Sequence, residues 1–435
     1  MISRGAVIEY VAKALGENLP AAQFIAALAR LGIQAWLVGG AARDALFGRP
    51  ITDMDLVINE DPAQAAEALG RHLGYSIFAL DSGRGFYRLT SPKPESFTVD
   101  LCRMRGGSIG RDLSSRDFTL NAIAIGLGPA PVLADPFDGI GDLEKKMLRP
   151  VSQSCLADDP LRILRAYRLA LIHELQPAAG LSSMIRSALA GLSGVAGERI
   201  LMELTKITKE PDSHKAIAAM EADGALRHIF PSAGSGALGD AQLLARLETI
   251  LAGYPDRRYL SEPMGAGMTR QEVVKLASLF SPLADSTGES GQYALEAAHR
   301  WKAPRAVAIG MKKMVSGWIG CLRIKDETQV YDWLCGVEDW AQGALMLAQA
   351  IANETQLMNV EWFEATLGKI QGRLATAWPP DDPPVSGRDI IQTLGVAPGP
   401  QVARLLGLAK RAVALGEPGG REQALEYMRR EMARP

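Results

Sequence analysis

The sequence has 435 residues, which is enough for two to four domains with sizeable cores. Its 47 lysines and arginines against 49 aspartates and glutamates exclude an overall basic protein, so any basic track for nucleic acid must be local. The four scattered cysteines form no CxxC pair, which argues against a disulfide framework and a zinc knuckle. The chain shows neither a signal-type segment nor a run of membrane-spanning length, so a membrane protein is not expected and a cytoplasmic location is predicted.

Helix and strand patterns alternate in the first third of the chain. An amphipathic helix is predicted at 21–31, followed by a short apolar strand at 35–40 that ends in two glycines. The other elements predicted here are a short helix at 42–48, strands at 54–58, 86–91 and 97–102, a helix at 63–74, a helix beginning near Asp117 and a strand around Val132. This mixture predicts an α+β head with a small mixed sheet that ends near Pro150.

The rest of the chain has a different character. From Pro160 onward almost every periodic segment is helical, and strand signals almost vanish. This part is therefore predicted to be all-α, built from several bundles. The segment WPPDDPP at 378–384 is a predicted linker, because neither a helix nor a strand tolerates so many prolines.

The strongest chemical signal is the stretch from Leu37 to Ile58, LVGGAARDALFGRPITDMDLVI. A strand leads into Gly39 and Gly40, and a helix follows at once. Glycines let the backbone approach a ligand closely, and a helix N-terminus offers free N–H groups to phosphate oxygens. Arg43 adds a positive charge in the first turn, so this turn is predicted to bind the phosphates of a nucleotide.

Carboxylates follow on the next strand. Asp53 and Asp55 alternate, so both side chains project from one face and are predicted metal ligands that hold a pair of Mg²⁺ ions. Asp100, on the strand 97–102, is the candidate third carboxylate. Two metal ions can activate an attacking hydroxyl and stabilise a leaving pyrophosphate, so these three residues are the predicted catalytic residues.

These residues carry a family resemblance. GG-x-x-RD followed by DxD resembles the nucleotidyltransferase head of the DNA polymerase beta superfamily, and it is similar in particular to the class II tRNA nucleotidyltransferases and bacterial poly(A) polymerases. Further stretches match that family's motifs in the right order: SRDFTLNAIAI at 115–125, DPFDGIGDLEKKMLRPV at 135–151, DDPLRILRAYRLA at 158–170 and GERILMELTKI at 197–207. The matches cover residues 35–230, about half of the chain.

The resemblance implies four domains. They are a catalytic head at 1–150, a neck for base recognition at 151–230, a helical body at 231–377 and a helical tail at 378–435. The implied activity is template-independent addition of C, A or both to the 3′ end of tRNA from CTP and ATP. The body is expected to hold the tRNA by shape and phosphate contacts.

The neck motif explains how a protein without a template could choose a nucleotide. Asp159 and Arg162 are three residues apart, so they are predicted to share one helical face and to present an acceptor beside a donor. Cytosine and adenine offer the complementary donor and acceptor, whereas uracil and guanine offer the reverse. Asp158 is predicted to orient Arg162, and Arg165 and Arg168 continue the same face toward phosphates.

Two residues of the SRD motif complete the predicted nucleotide site. Asp117 is predicted to accept a hydrogen bond from a ribose hydroxyl, a role that is compatible with capping the following helix. Arg116 is predicted to support the triphosphate or the sugar. The candidate nucleotide-binding residues are thus Gly39, Gly40, Arg43, Arg116, Asp117, Asp158, Asp159, Arg162, Arg165 and Arg168.

The sequence departs from the family pattern at three places. Asp158 stands where the family usually has Glu, and Ser115 where it usually has Arg. The segment between Asp100 and Arg116 is short, which in the family goes with enzymes that add only CC and favours that activity slightly over full CCA addition. None of the five histidines is followed by Asp, so an appended phosphohydrolase site is not expected.

Two alternatives remain open. A poly(A) polymerase that acts on diverse RNAs keeps the same motifs, so the sequence separates it poorly from a tRNA enzyme. A catalytically silent RNA-binding protein predicts the loss of a metal carboxylate, and all three are present. The sequence does not indicate the oligomeric state.

Overall fold

The structure is a computed structural model that describes residues 4–46, 51–92, 97–128, 130–230, 240–281, 289–321, 324–355, 360–377, 383–417 and 420–433. The chain forms two compact units. The first comprises Met1–Glu210 and Ala219–Ile229, and the second comprises Pro211–Ala218 and Phe230–Pro435. The predicted head and most of the predicted neck lie in the first unit; the finer boundaries at 150, 230 and 377 stay predictions.

The first unit begins with an α+β arrangement. Its elements are α1 Arg4–Glu17, α2 Leu19–Arg30, β1 Ala35–Val38, α3 Gly40–Leu46, β2 Asp53–Ile58, α4 Pro62–Leu73, β3 Ser76–Asp81, β4 Phe86–Thr90, β5 Thr98–Arg103, α5 Ile109–Ser114, β6 Ala124–Leu127, β7 Val132–Ala134, α6 Gly139–Glu144 and β8 Met147–Leu148. Strands β1 to β7 form one mixed sheet in the order β3-β4-β5-β2-β1-β6-β7. Only β2 and β5 pair in parallel; the other neighbours are antiparallel.

Local sequence signals define the two helices that cover this sheet. Helix α2 is capped by Asn18, whose side chain accepts a hydrogen bond from the Ala21 N–H, and α4 is capped in the same way by Asp61. Gly74 ends α4 in the left-handed conformation, which glycine adopts without strain. The core beneath these helices consists of apolar side chains from α1, α2, α4 and the sheet, among them Phe24, Leu28, Leu37, Leu56, Leu69 and Val99. The predicted mixed-sheet head is confirmed.

Short helices follow the sheet in the first unit. They are α7 Cys155–Asp158, α8 Leu161–His173, α9 Leu181–Ala188, α10 Gly197–Lys209, α11 His214–Asp223 and α12 Leu226–Ile229, with β9 Gln176–Pro177 pairing in parallel with β8. Helix α11 crosses from the second unit to the first at Ala218. Helices α8 and α10 pack together, with Leu164, Ile200 and Leu204 fully buried.

The second unit is almost entirely helical. Its elements are α13 Ala241–Gly253, α14 Arg257–Ser261, β10 Pro263–Gly265, β11 Met268–Thr269, α15 Arg270–Ser278, α16 Ser290–Arg300, α17 Arg305–Cys321, α18 Glu327–Val337, α19 Ala341–Thr355, α20 Val360–Ala377, α21 Gly387–Leu394, α22 Pro400–Ala414 and α23 Arg421–Met432. Two of its tryptophans make aromatic contacts in the core: Trp301 lies against Phe230, and Trp333 against Phe363. Most of the predicted linker at 378–384 lies outside the described residues. Among the helices that are described, none is long and apolar enough to cross a membrane.

One local prediction was wrong, and one strand was missed. The helix predicted to begin near Asp117 is only a single 3-10 turn at Thr119–Asn121. The carboxylate of Asp117 instead bonds the Phe118 N–H and the Asn121 side chain, so it competes with a continuous helix rather than starting one. The edge strand β3 was not predicted; its residues are all exposed, so it lacks the alternation that marks a half-buried strand.

Candidate active site

The three acidic residues lie on two adjacent strands. Asp53 and Asp55 are on β2, and Asp55 pairs in parallel register with Asp100 on β5. Register partners on neighbouring strands project from the same face, so the Asp55 and Asp100 side chains are neighbours, and Asp53 is two residues away on that face. Asp53 is exposed, whereas Asp55 and Asp100 are half-buried.

This crowding of negative charge affects Asp55. Burial, followed by the negative charges of Asp100 and Asp53, raises the pKa of the Asp55 carboxyl to about 6. Like charges that share a small site disfavour ionisation of one another. A bound cation would relieve this repulsion, and oxygen-only ligands are those that hard divalent ions such as Mg²⁺ prefer, so the donor set fits such an ion.

Arg88 partly neutralises this cluster. It lies on β4 directly opposite Asp100 in antiparallel register. Its Nε donates to Asp100 Oδ1 at 2.7 Å, and its Nη2 donates to Asp100 Oδ2 at 2.8 Å. The guanidinium therefore engages both oxygens of the carboxylate in a two-pronged ion pair.

The glycine turn comes close to these carboxylates. Gly39 follows β1 with φ +71°, a left-handed conformation that favours glycine, and a Cβ on it would lie 3.1 Å from Asp55 Oδ2. Gly40 begins α3, and Arg43 follows one turn later. The Arg43 guanidinium is buried; its Nη1 donates to Asn121 Oδ1 at 2.6 Å, and its Nε to Asp44 at 3.0 Å. Burial lowers the pKa of Arg43 below its usual value.

A buried carboxylate holds Arg116 beside the same glycine. Asp112, on α5, is almost fully buried and accepts hydrogen bonds from Arg116 Nε at 3.0 Å and Nη2 at 2.8 Å. Its other oxygen accepts the Arg105 N–H at 3.2 Å. The free Nη1 end of Arg116 points to Gly39, 3.5 Å from where a Cβ would lie. The short segment after β5 is thus folded around Asp112.

Asp117 is buried between the sheet and α8. Its Oδ1 accepts the Phe118 N–H at 2.8 Å and the Asn121 amide at 3.0 Å. Arg165 Nη1 lies 3.1 Å from Asp117 Oδ2, but without the geometry of a hydrogen bond, so Oδ2 has no hydrogen-bond donor among the described residues. Burial alone would raise the pKa of this carboxyl; Arg165 and the two hydrogen bonds outweigh it and hold the pKa below its usual value.

Arg162 is fixed by backbone carbonyls. Its Nη1 donates to the Arg116 and Cys155 carbonyls, both at 3.1 Å, and its Nη2 donates to the Ser115 carbonyl at 2.7 Å. Asp158 is exposed and accepts from Ser154 Oγ at 3.0 Å. The prediction that Asp158 orients Arg162 was therefore wrong; three carbonyls perform that task, those of Ser115 and Arg116 after α5 and that of Cys155 in α7.

The predicted Asp159–Arg162 helical face was also wrong. Helix α8 begins at Leu161, and Asp159 precedes it in an extended conformation. The reason is Pro160, which disfavours the helical region for the residue before it. The carboxylate of Asp159 accepts from Arg199 Nη2 of α10 at 2.9 Å and from the Leu161 N–H at 3.3 Å.

Arg165 and Arg168 do share a face of α8, and both approach Glu203 of α10. Arg168 Nε donates to Glu203 Oε2 at 2.7 Å, and Arg165 Nε lies 4.0 Å from Glu203 Oε1. Glu203 is almost fully buried. Glu203 thus links both arginines of α8 to α10. Arg165 also forms an ion pair with Asp117.

Two protein-family models and several known proteins are similar to this chain. Residues 35–149 match the family model described as the poly A polymerase head domain, and residues 178–235 match that described as the probable RNA and SrmB-binding site of polymerase A. A CC-adding tRNA nucleotidyltransferase from Geobacter sulfurreducens is 31% identical over 94% of this chain and 95% of its own. The chain belongs to this tRNA nucleotidyltransferase family. The predicted family membership and enzyme class are confirmed.

Other family members show how their activities vary. An A-adding tRNA nucleotidyltransferase from Deinococcus radiodurans is 30% identical over 91% of this chain and 95% of its own. A solved CCA-adding enzyme in complex with CTP is 21% identical, covers 98% of this chain and 99% of its own, and has a TM-score of 0.73. That likeness confirms the fold of the family. Nucleotidyltransferases of the family generally use a divalent metal ion.

The sequence analysis missed four residues that shape the family site: Arg88, Asp112, Arg199 and Glu203. Glu203 could have been found from the sequence, since it lies between Ile200 and Leu204 on the apolar face of α10, where a buried carboxylate needs a positively charged partner. Arg88 and Arg199 left no such signal, because the partner of Arg88 comes from another strand and that of Arg199 from the extended residue before α8. Asp112 and Arg116 are four residues apart. This spacing brings two side chains into contact only where the chain is helical, and the structure shows that α5 begins that turn.

A second acidic group in the other unit has a different character. Side-chain ligand atoms of Asp212, His214 and Glu248 lie within 4.8 Å of one another. Glu248, however, accepts from Lys275 Nζ at 2.8 Å and Ser213 Oγ at 2.6 Å, and it bonds His214 Nδ1 at 2.6 Å. Because Lys275 already supplies the positive charge, we interpret this group as a structural ion-pair network.

Proposed function

We propose that this enzyme adds nucleotides to the 3′ end of tRNA in the cytoplasm, using CTP, ATP or both and Mg²⁺, with CC addition favoured. The observation that carries the proposal is the in-register pair of Asp55 and Asp100, with Asp53 beside them and the Gly39 turn above. This is a cation site next to an anion site. Relatives named CC-adding tRNA nucleotidyltransferases, including one 28% identical from Synechocystis, support the choice of substrate.

The carboxylates form the catalytic part of the proposal. Asp53 and Asp55 would hold the Mg²⁺ ions, and Asp100 would share in the site from β5. When bound, the metal supplies activation of the attacking 3′-hydroxyl and stabilisation of the leaving pyrophosphate. The chain contributes the orientation of the carboxylates, because two paired strands hold them in register.

The triphosphate is assigned to the turn and the arginines around it. Gly39 and Gly40 allow close approach of the backbone, and Arg43 and Arg116 are held in place by Asp44 and Asp112. These ion pairs should favour phosphate binding, because a guanidinium that is already held in place loses little conformational entropy when it binds an anion. Arg165 and Arg168, held by Glu203, extend the same positive surface.

Sugar recognition is assigned to Asp117. Its buried Oδ2 has no hydrogen-bond donor among the described residues. A buried acceptor without a donor is costly, and a ribose hydroxyl would supply the missing bond. This proposal predicts selection of ribonucleotides over deoxynucleotides.

Base recognition is assigned to Asp159 and Arg162, with Asp158 at the rim. The hydrogen bonds of Arg162 to the described residues use three of its five N–H groups, which leaves Nε and one N–H of Nη2 for a ring nitrogen. Asp159 would accept the exocyclic amino group of cytosine or adenine. Uracil and guanine would leave these groups unpaired, and an unpaired polar group in a site discriminates strongly.

A poly(A) polymerase acting on diverse RNAs is the second candidate, favoured by the descriptions of both matching family models. The test uses tRNA transcripts that lack CCA, transcripts that end in CC, and an unrelated RNA, each with Mg²⁺ and one labelled nucleotide. Extension of the first transcript only, with CTP only, is expected for CC addition. Long ATP-dependent tails on every RNA would instead establish the second candidate.

Variants test the residue assignments in the same assay. D53N or D55N should abolish incorporation while tRNA binding in a filter assay persists. D159A should raise misincorporation of UTP relative to CTP at least tenfold. Exposed Arg71, paired with Glu67 on α4, offers a matched control: R71A should leave both rate and nucleotide choice unchanged. Full activity of D55N would refute the metal assignment.

A further inference from the structure

The third carboxylate of the site, Asp100, is held by Arg88, a residue that the proposed function does not use. Arg88 on β4 and Asp100 on β5 are directly opposite in antiparallel register. The two hydrogen bonds, at 2.7 and 2.8 Å, join two nitrogens to two oxygens. A planar fork of this kind fixes the plane of the carboxylate as well as its position.

Arg88 also lies in the electric field of the whole acidic cluster. Asp55 on β2 is the parallel register partner of Asp100, and Asp53 lies two residues before Asp55 on the same face. One guanidinium therefore faces three carboxylates.

We propose that Arg88 is a positioning residue: it fixes Asp100 for catalysis and offsets part of the negative charge of the cluster before metal binds. The inference rests on the proposed function, since that function makes these carboxylates the metal site. Each carboxylate oxygen can accept more than one partner, so Asp100 can share in a metal site without releasing Arg88. Arg88 itself does not touch the nucleotide.

The two effects of Arg88 predict opposite changes in two measurements. In R88M the cluster loses its compensating charge, so nucleotide-free protein should bind Mn²⁺ at least threefold more tightly. Asp100 also loses its fixed plane, so kcat for CTP incorporation should fall at least tenfold, with KM for CTP changed less than twofold. A residue that only stabilised the fold would not combine tighter metal binding with slower turnover.

A second variant separates charge from orientation. R88K keeps the positive charge but not the planar fork. It should bind Mn²⁺ within twofold of the unmodified protein, while its kcat remains reduced. The matched control is R84M: Arg84 lies on the same hairpin, is highly exposed and pairs with Asp81, so neither measurement should change.

Mn²⁺ binding is measured by electron paramagnetic resonance on the full-length protein without nucleotide, and turnover by single-nucleotide incorporation. Unchanged or weaker Mn²⁺ binding in R88M, or full turnover in R88K, would overturn the proposal. D55N, measured in parallel, reports on the proposed function itself: a fully active D55N protein would remove the metal site. The Mn²⁺ measurement does not depend on turnover, so the two failures are distinguishable.

Discussion

At the scale of single residues, Asp55 shows how neighbours set the behaviour of a catalytic group. Its pKa of about 6 in the folded protein lies above the usual value of a carboxyl, so the folded state binds a proton more strongly than the unfolded state does. The contribution of Asp55 to the free energy of unfolding therefore decreases as pH rises from about 4 to 6, and it stays low above that range.

The substitution D55N removes this penalty. In EDTA, D55N should be more stable than the unmodified protein by up to about 3 kcal/mol at pH 7.5, and this difference should shrink to less than about 1 kcal/mol at pH 4. Urea unfolding at both pH values measures the difference. Adding Mg²⁺ at pH 7.5 should stabilise only the unmodified protein. A D55N protein that is less stable at pH 7.5 would contradict the charge-crowding explanation.

The sequence can group single residues where their proximity depends on a local pattern. Asp53 and Asp55 stood out because alternation on one strand places them together, and the glycine turn precedes them directly. Arg88 could not be predicted, because its role depends on which residue of β5 lies opposite, and register is a property of the assembled sheet. Asp159 was misplaced although Pro160 was a local signal against a helix there.

At the scale of elements, the short segment after β5 is built around one buried carboxylate. The 3-10 turn Arg105–Gly107 leads into α5, which Ser108 caps. Asp112 then binds both the start of the segment, through the Arg105 N–H, and its end, through Arg116. The segment is thus a closed loop that positions Arg116.

Opening this loop should affect nucleotide binding. D112N should lower the free energy of unfolding by about 1 to 3 kcal/mol, because a buried charged hydrogen bond is lost. It should also raise KM for CTP at least fivefold, because Arg116 is no longer held beside Gly39.

The matched control is D142N, since Asp142 is a buried carboxylate that binds Thr119 and Arg149 in the same head. D142N should lose similar stability while KM stays within twofold; an equal rise in KM would contradict the positioning role of Asp112.

At the scale of the whole molecule, the residues proposed for the chemistry lie in the first unit, and the second unit has its own stabilising network. Lys275 is almost fully buried and pairs with Glu248, which also accepts from Ser213 and binds His214. This network ties the segment Pro211–Ala218 to helices α13 and α15 within the second unit.

Breaking the network should destabilise the second unit. K275M leaves Glu248 without its cation and should lower the free energy of unfolding by on the order of 3 kcal/mol. Six of the seven tryptophans follow residue 300, so tryptophan fluorescence reports chiefly on the second unit. The control K146M breaks an exposed pair with Glu174 and should change stability by less than about 1 kcal/mol. An unshifted fluorescence transition in K275M would contradict the structural interpretation of this network.

The sequence by itself determined the family and the α+β head followed by a mostly helical remainder, and it predicted the glycine turn and the DxD pair, because these depend on patterns along one strand or one turn. Tertiary structure decided which groups meet: Arg88 with Asp100, Arg199 with Asp159, Glu203 with the arginines of α8, and the carbonyls that hold Arg162. Each of these contacts joins residues from different segments of the fold. Their partners follow from strand register and helix packing, which no local pattern records.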